Sequence, residues 1–315
     1  MPEPVAPAIL LAATGLTPVT AESPNAECIE DLYWFVAFWA AIVLLAVAVP
    51  LTVFVFRYRS RGRDRTVEGP QIHGSTRLEI GWTLVPIVIL LIVTAFTFYK
   101  LPGITLEDEA DAQAGDILVK VEGRQFYWQY HYPNGVVAID KLVAPQGRLV
   151  VIEITAPESD VNHSYWVPAV GGKFDAIPGE TTKTAFRAKR PGVFQGQCAE
   201  FCGIQHAKML ASIEVLPSNE FDSWLEEQAQ AQQAGTSDLG QQEFVGACSK
   251  CHGPNGEGLI GPAFTSAAVS DADAVAEVVR NGRGKMPAIG EEWNEGQMKA
   301  LTDYLAERFG EEAEG

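Results

Sequence analysis

Cys198-Ala-Glu200-Phe-Cys202-Gly-Ile-Gln-His206-Ala-Lys-Met209 sets two thiols, an imidazole and a thioether at offsets of four, four and three. Soft donors of this kind suit copper, and the spacing suits a looped strand end closing around a metal. A lone C-x-x-x-C is weak, because it equally fits a disulfide, a thiol redox pair or a thiol-based copper chaperone. The further His and Met argue against those readings. His163 follows a run of alternating apolar residues and can complete a site with two metals. The expectation is a dinuclear copper centre.

The sequence around this stretch has a period of two. Ile117, Val119 and Val121 alternate with Leu118 and Lys120, and Val150 to Thr155 forms a second strand-like run. Lys183 to Arg187, Val193 to Gln197 and Met209 to Val215 read as later strands. Pro133-Asn134-Gly135, Gly171-Gly172 and Pro178-Gly179 supply turns. Short strands without alternating helices indicate a β-sandwich or barrel, whose rim offers rigid strand ends for metal-binding loops. Pro217 ends the domain. Beyond it Asn219 is placed to cap a helix with Phe221, Trp224 and Leu225 on one face. That helix runs into Gln228 to Gly235, a polar stretch with the composition of a linker.

Cys248-Ser-Lys250-Cys251-His252 is C-x-x-C-H, the attachment pattern of a c-type haem. Its thiols would form thioether links to the porphyrin, and its imidazole would be the proximal iron ligand. A zinc half-site is the rival, but no second C-x-x-C or His pair stands nearby to complete it. Met286, before Pro287 in a Gly-rich stretch, is the candidate sixth ligand; a Met/His pair favours electron transfer over oxygen chemistry. Met298 falls into a helical pattern with Leu301 and Leu305 and reads as core. Leu239, Phe244 and Val245 lead into the motif as a short amphipathic helix, and Glu295 to Phe309 forms the last helix. Four of the five cysteines lie in these two motifs; Cys28 stands apart, without the small preceding residue expected before a lipidated cysteine.

Two runs lack any charged residue, Leu32 to Phe56 and Ile80 to Tyr99, and each is long enough to cross a bilayer core of about 30 Å. Tyr33, Trp34, Tyr58, Trp82 and Tyr99 lie near their ends, as interfacial aromatic belts do. Arg57, Arg59, Arg61, Arg63, Arg65 and Arg77 fall between the runs, and no Lys or Arg precedes the first. The positive-inside rule therefore places the loop in the cytoplasm and both redox motifs outside. Ala8 to Leu16 resembles the apolar part of a signal peptide but has no basic region before it. Of the net charge of −17, −12 lies from Pro217 onward. This charge argues against nucleic acid and is compatible either with a solvated surface or with a docking face for a basic electron donor.

With the motifs and topology in place, the chain resembles subunit II of cytochrome c oxidase, in the bacterial form with a fused cytochrome c domain (a caa-type haem–copper oxidase). The resemblance runs from about Ile29 onward. It is also carried by Arg77-Leu-Glu79-Ile-Gly-Trp82-Thr-Leu-Val-Pro86, His163-Ser-Tyr-Trp-Val-Pro and Lys173-Phe-Asp175-Ala-Ile-Pro-Gly179. It implies a multidomain chain with a two-helix transmembrane hairpin, an all-β cupredoxin-like sandwich and a small all-α class I cytochrome c domain. The corresponding boundaries are 1–28 for a signal or N-terminal segment, 29–104 for the hairpin (spans about 32–56 and 80–99), 105–217 for the copper domain, 218–236 for helix and linker, and 237–315 for the haem domain.

By the same resemblance, His163, Cys198, Cys202, His206 and Met209 with the Glu200 carbonyl would hold dinuclear copper (CuA). The Glu200 side chain would reach a magnesium ion shared with subunit I. Cys248 and Cys251 would carry covalent haem c, with His252 and Met286 on its iron. Glu79 would stand at the mouth of a proton pathway. Gly123-Arg-Gln-Phe126-Tyr-Trp128 departs from the family, which usually has Trp at Phe126 as the point where electrons enter; Phe126 and Trp128 are the candidates here, with aromatic core packing as the alternative. The chain would be the subunit through which electrons enter a terminal oxidase of the bacterial inner membrane, with its copper and haem domains on the periplasmic or extracellular side. Its partners would be subunits I and III, a donor such as a cytochrome c or cytochrome bc complex, and the lipid bilayer. Electrons would pass by haem c and copper to subunit I, which reduces oxygen to water and translocates protons. A copper-delivery protein would not explain Met209, His163 and the haem motif together. A membrane-anchored shuttle to another reductase would share every ligand, but Glu79 and the hairpin favour the oxidase. A quinol oxidase would need neither motif.

Overall fold

Helix α1 (Pro24–Arg57) and helix α2 (Thr76–Thr105) contain the two charge-free runs and extend past both ends of each. At about 1.5 Å per residue each is long enough to cross a bilayer. Pro50, Pro86 and Pro102 lie inside these helices, as membrane-type helices tolerate. The described residues of the computed structural model are 19–59, 62, 71, 73–106, 115–234, 238–291 and 293–310. The signal-like run Ala8 to Leu16 and the loop residues Arg61, Arg63 and Arg65 lie outside them. One compact unit is Glu27–Gly103; the other combines Met1–Ala26 with Ile104–Gly315.

Within the first unit the helices form an antiparallel pair. Phe35 stacks on Phe96 with ring centroids 4.0 Å apart, and Lys100 Nζ lies 2.6 Å from Asp31 Oδ2. Cys28 lies directly over Gly103, where a Cβ would meet its sulfur at 2.8 Å, so the lone cysteine has a packing position.

The second unit is built on two five-stranded sheets. One has the order β3-β2-β1-β5-β8, from β1 (Ile117–Arg124), β2 (Tyr127–His131), β3 (Val137–Ile139), β5 (Val150–Thr155) and β8 (Thr182–Phe186). The other has the order β4-β10-β9-β6-β7, from β4 (Lys141–Pro145), β6 (His163–Trp166), β7 (Phe174–Ala176), β9 (Gly192–Cys198) and β10 (Leu210–Leu216). Each sheet has one parallel pair, β1 with β5 and β10 with β4. Inward residues such as Val119, Val121, Trp128, Ile154, Tyr165 and Ile213 fill the space between the sheets, giving the cupredoxin-like sandwich. Residues 22–25 are tied to its surface: Ser23 Oγ donates to Val170 O at 2.6 Å, Asn25 Nδ2 donates to Ala185 O at 2.8 Å, and Glu22 pairs with Arg190.

Helix α3 (Ser218–Ala234) continues through most of the linker-like stretch, because Gln and Ala are good helix formers whatever their polarity; Gly235 lies outside the described residues. The helix starts one residue before the expected cap at Asn219. Gln232 closes the edge of β3 by donating to Val137 O at 2.8 Å and accepting from Val137 N at 3.0 Å. This satisfies part of a strand edge that would otherwise be open to pairing.

The C-terminal module comprises α4 (Leu239–Glu243), a wide turn over Phe244–Cys248, α5 (Ser249–His252), α6 (Ser266–Val269), α7 (Ala272–Asn281) and α8 (Glu295–Phe309). α8 begins at a capping box between Asn294 and Gln297, and Asp271 caps α7. Gly240 lets α4 cross α8 closely, since a Cβ there would meet Ala300 O and Tyr304. Leu239, Phe244, Met298, Leu301 and Leu305 are buried, whereas the expected inward residue Val245 is exposed. The wide turn rotates it outward, and Gly246 instead meets Ile139 of the sandwich.

Glu243 is fully buried between α4 and α8, accepting from Gln297 Nε2 at 2.9 Å. Burial pushes its carboxyl up to about 8, against the smaller opposing effects of Gln297 and Arg124. The folded chain therefore keeps a proton that the unfolded chain releases near its ordinary value of 4.5. Stability falls as pH rises from there to about 8 and then levels off. Glu243→Gln should remove most of this fall and make the chain more stable by a few kcal/mol at pH 8.5 than at pH 5 relative to wild type, read by urea unfolding at the two pH values.

Candidate metal centre and haem-attachment site

Strand register brings the metal candidates to one rim. β9 pairs with β6, Cys198 opposite Tyr165, and with β10, Gln197 opposite Leu210. Cys198 N donates to Met209 O at 2.9 Å, and Ala199 N donates to Ser164 O at 2.8 Å. His163 at the start of β6, Cys198 at the end of β9 and Met209 just before β10 thus become neighbours. The turn His206–Lys208 lies between the two loop ends.

The donor atoms converge. Cys198 Sγ lies 3.9 Å from Cys202 Sγ, 4.0 Å from His163 Nδ1 and 3.2 Å from Glu200 O. Cys202 Sγ lies 3.6 Å from His206 Nδ1 and 3.7 Å from Met209 Sδ. Both cysteines are free thiols. Two thiols at the centre, with an imidazole beside each and a thioether and a carbonyl at the edge, form a donor set that fits copper. Cys198, Cys202, Met209 and His163 are buried, which would keep water from the metals.

Asp160, which the sequence reading missed, holds the ligand at β6. Its Oδ1 lies 3.2 Å from His163 Nε2, leaving Nδ1 turned to Cys198, and its Oδ2 accepts from Gln125 N at 3.0 Å. A carboxylate behind a ligand imidazole fixes ring orientation. Its only sequence signal was an acid three residues before a His. Gln125 Nε2 donates to Cys202 O at 2.5 Å, bracing the opposite loop.

Burial alone would lower the His163 pKa, but hydrogen bonding to Asp160 and Cys198 outweighs it and raises it. The thiols are split: Cys198 is drawn down, first by its hydrogen bond from Cys202, whereas that same contact and then burial push Cys202 up. The pair thus keeps one proton between the sulfurs, which a metal would displace.

At the second motif, the His252 Nδ1–H donates to Pro262 O at 2.7 Å, leaving Nε2 for an iron. Gly261 lies flat against the imidazole, where a Cβ would meet the ring at 2.8 Å. Burial pushes the Cys248 thiol up to about 12 and also raises Cys251. Met286 closes a tight turn by paired backbone bonds with Arg283 and packs, half-buried, against the core of this module. These residues fit a covalently held haem.

Other candidates are not gathered into these sites. Trp128 is fully buried, its ring 6.0 Å from that of His163, so no external donor can touch it. That position packs the ring in the core beside the metal site. Phe126 is half-buried, and its ring leaves no room for a Cβ at Gly203. The Glu200 carboxylate is exposed and does not join His163, Cys198 and Cys202, whose ligand atoms all lie within 4.8 Å of one another. Glu79 is exposed in the first turn of α2.

Fold and donor set together define a membrane-anchored electron-transfer protein with a cupredoxin-like head. The family description "Cytochrome C oxidase subunit II, transmembrane domain" matches residues 12–100, and "Cytochrome C oxidase subunit II, periplasmic domain" matches 136–216. "Cytochrome C oxidase, cbb3-type, subunit III" matches 235–305. Cytochrome c oxidase subunit 2 of Alkalihalophilus pseudofirmus is 35% identical over 270 residues, covering 81% of this chain and 76% of that protein. The subunit 2 of Bacillus sp. PS3 is 35% identical over 58% of this chain and 54% of its own length. That of Cereibacter sphaeroides is 31% identical over 66% of this chain and 80% of its own length. The chain belongs to the cytochrome c oxidase subunit II family. Membership makes it membrane-anchored, with its head on the periplasmic side.

Gly123 tests the metal reading, because a Cβ there would come within 3.0 Å of the Trp128 ring and 3.1 Å of the His163 side chain. Gly123→Ala should displace the imidazole and weaken copper binding about 10–100-fold, measured by competition with a chelator, with haem attachment unchanged.

Proposed function

We propose that this chain is the subunit through which electrons enter a caa-type haem–copper oxidase, by way of haem c and then dinuclear copper to subunit I. The observation that carries the reading is the convergence of two thiols, two imidazoles, a thioether and a carbonyl at one rim, in the same compact unit as a C-x-x-C-H motif. His163, Cys198, Cys202, His206, Met209 and the Glu200 carbonyl hold the copper. Cys248 and Cys251 bind haem covalently, with His252 and Met286 on the iron. Copper held there would supply a one-electron carrier. Haem held by this module would supply a second one-electron carrier, and a His/Met pair would favour electron transfer over oxygen chemistry.

The protein's own residues do the rest. Asp160 fixes the His163 ring and Pro262 O fixes that of His252, so neither imidazole must turn when the charge at its site changes. The buried rim excludes water around the sulfurs. The assignment to the bacterial inner membrane rests on the apolar hairpin and the outward redox motifs. Subunits I and III, a cytochrome c or cytochrome bc donor, a magnesium ion at Glu200, Glu79 at a proton pathway and coupling to proton translocation complete the reading on the family resemblance. Phe126, half-buried beside the copper loop, and Trp128, buried beside His163, are the rings by which an electron would enter from outside.

Copper electron paramagnetic resonance on the oxidised full chain in detergent tests the reading. The expected spectrum has hyperfine structure from one electron shared over two copper nuclei, lost in Cys202→Ser. A single-copper signal in wild type would overturn it.

A further inference from the structure

Lys250 lies between the two cysteines of the haem motif, where C-x-x-C-H demands no particular residue. Its side chain nevertheless turns away from the module and is nearly buried. Nζ donates to Phe126 O at 2.7 Å and to Asp140 Oδ2 at 2.8 Å, both on the sandwich. Asp140 is prepared to receive it. Its φ is 56°, an uncommon conformation for a residue other than Gly, and its Oδ1 accepts from Trp128 N at 2.9 Å. Its backbone is fixed by Asp140 N donating to Trp128 O and Ser212 N donating to Asp140 O. One carboxylate oxygen thus binds the sandwich and the other binds the module.

A return contact is made beside it. Gln205 is buried, and its Nε2 donates to Lys250 O at 3.0 Å. Gln205 immediately precedes His206, and Lys250 immediately precedes Cys251. Farther out, Arg124 NH1 donates to Ile289 O at 3.2 Å, and Gly246 sits against Ile139.

We propose that Lys250 is a positioning residue that locks the haem-bearing module onto the sandwich in one register, so that the Gln205–Lys250 hydrogen bond joins the haem-attachment segment to the copper loop. This rests on the functional reading above and adds a fixed dock in place of a module diffusing on its linker. The step served moves one electron from ferrous haem, leaving it ferric, to the oxidised copper pair, with no bond made or broken. The locking groups are one desolvated ion pair and two hydrogen bonds to backbone carbonyls, which specify orientation as well as attraction.

The test uses the full chain in detergent and two readouts. Intramolecular electron transfer after flash reduction of the haem is followed as a function of viscosity, and hydrogen exchange is followed at residues 126–128 and 137–140. A locked module gives a wild-type rate independent of viscosity and protected amides. Lys250→Met should slow transfer about tenfold, make it viscosity-dependent and speed exchange in both segments, with optical and paramagnetic spectra unchanged. Lys250→Arg should restore part of the rate, and Asp140→Asn, which keeps the acceptor for Trp128 N, should reproduce the loss. A wild-type rate that falls with viscosity, or Lys250→Met and Asp140→Asn variants with wild-type rates and exchange, would overturn the lock. Absence of either centre from wild type would instead sink the functional reading, while the exchange data would still decide whether Lys250 docks the module.

Discussion

The register of three strands governs the metal rim. Side chains on a strand alternate in direction, so a one-residue slip of β9 against β6 or β10 would send Cys198 to the opposite face. Such a slip is opposed because moving β9 would turn Phe194 to solvent, and moving β10 would turn out Ala211, Ile213 and Val215 together. Full burial of a Val or Ile is worth about 1.5–3 kcal/mol, so the register is specified by core packing well away from the ligands. The two backbone bonds Cys198 N to Met209 O and Ala199 N to Ser164 O then transmit that register to the donor atoms. The ligand loop therefore needs little intrinsic order of its own.

A second constraint concerns size. The C-terminal module is small, and a domain of that length buries a modest fraction of its surface. Its core is extended by Tyr127, Val137 and Ile139 of β2 and β3, which join Phe244, Leu301 and Leu305 in a single apolar cluster. The sheet edge gains a cover on the same account, since Gln232 of α3 occupies both hydrogen-bonding positions of Val137. Apolar surface on the two parts is thus withdrawn from water by one contact.

This shared packing explains what the sequence did and did not disclose. β9 and β10 were legible because each has one face in the core and one nearer solvent. β2 was not, because Tyr127 and Trp128 are both buried, one in each cluster, which removes the alternation that marks a strand. The candidate donors were legible because their types and spacing are uncommon. Asp160 and Gln125 were not, because a carboxylate and an amide become supports only once folding sets them against His163 Nε2 and Cys202 O. The burial of Trp128 was open for a related reason: an aromatic in a run of aromatics carries no label for surface or core. Helix α3 shows the converse, where polar composition carried no sign of the helix that Gln and Ala extend to Ala234.

The turn joining β1 to β2 connects these points. Gln125 donates its backbone N–H to Asp160 on one side and its side-chain amide to Cys202 O on the other, and the next residue, Phe126, offers its carbonyl to Lys250. A displacement of this turn would disturb the brace on His163, the brace on Cys202 and the seat of Lys250 at once. The turn is held by Trp128, whose ring lies in the sandwich core and whose N–H is fixed by Asp140. The large buried aromatic has the structural task of keeping one short turn in place, and through that turn the sandwich core sets the geometry of both chemically active segments.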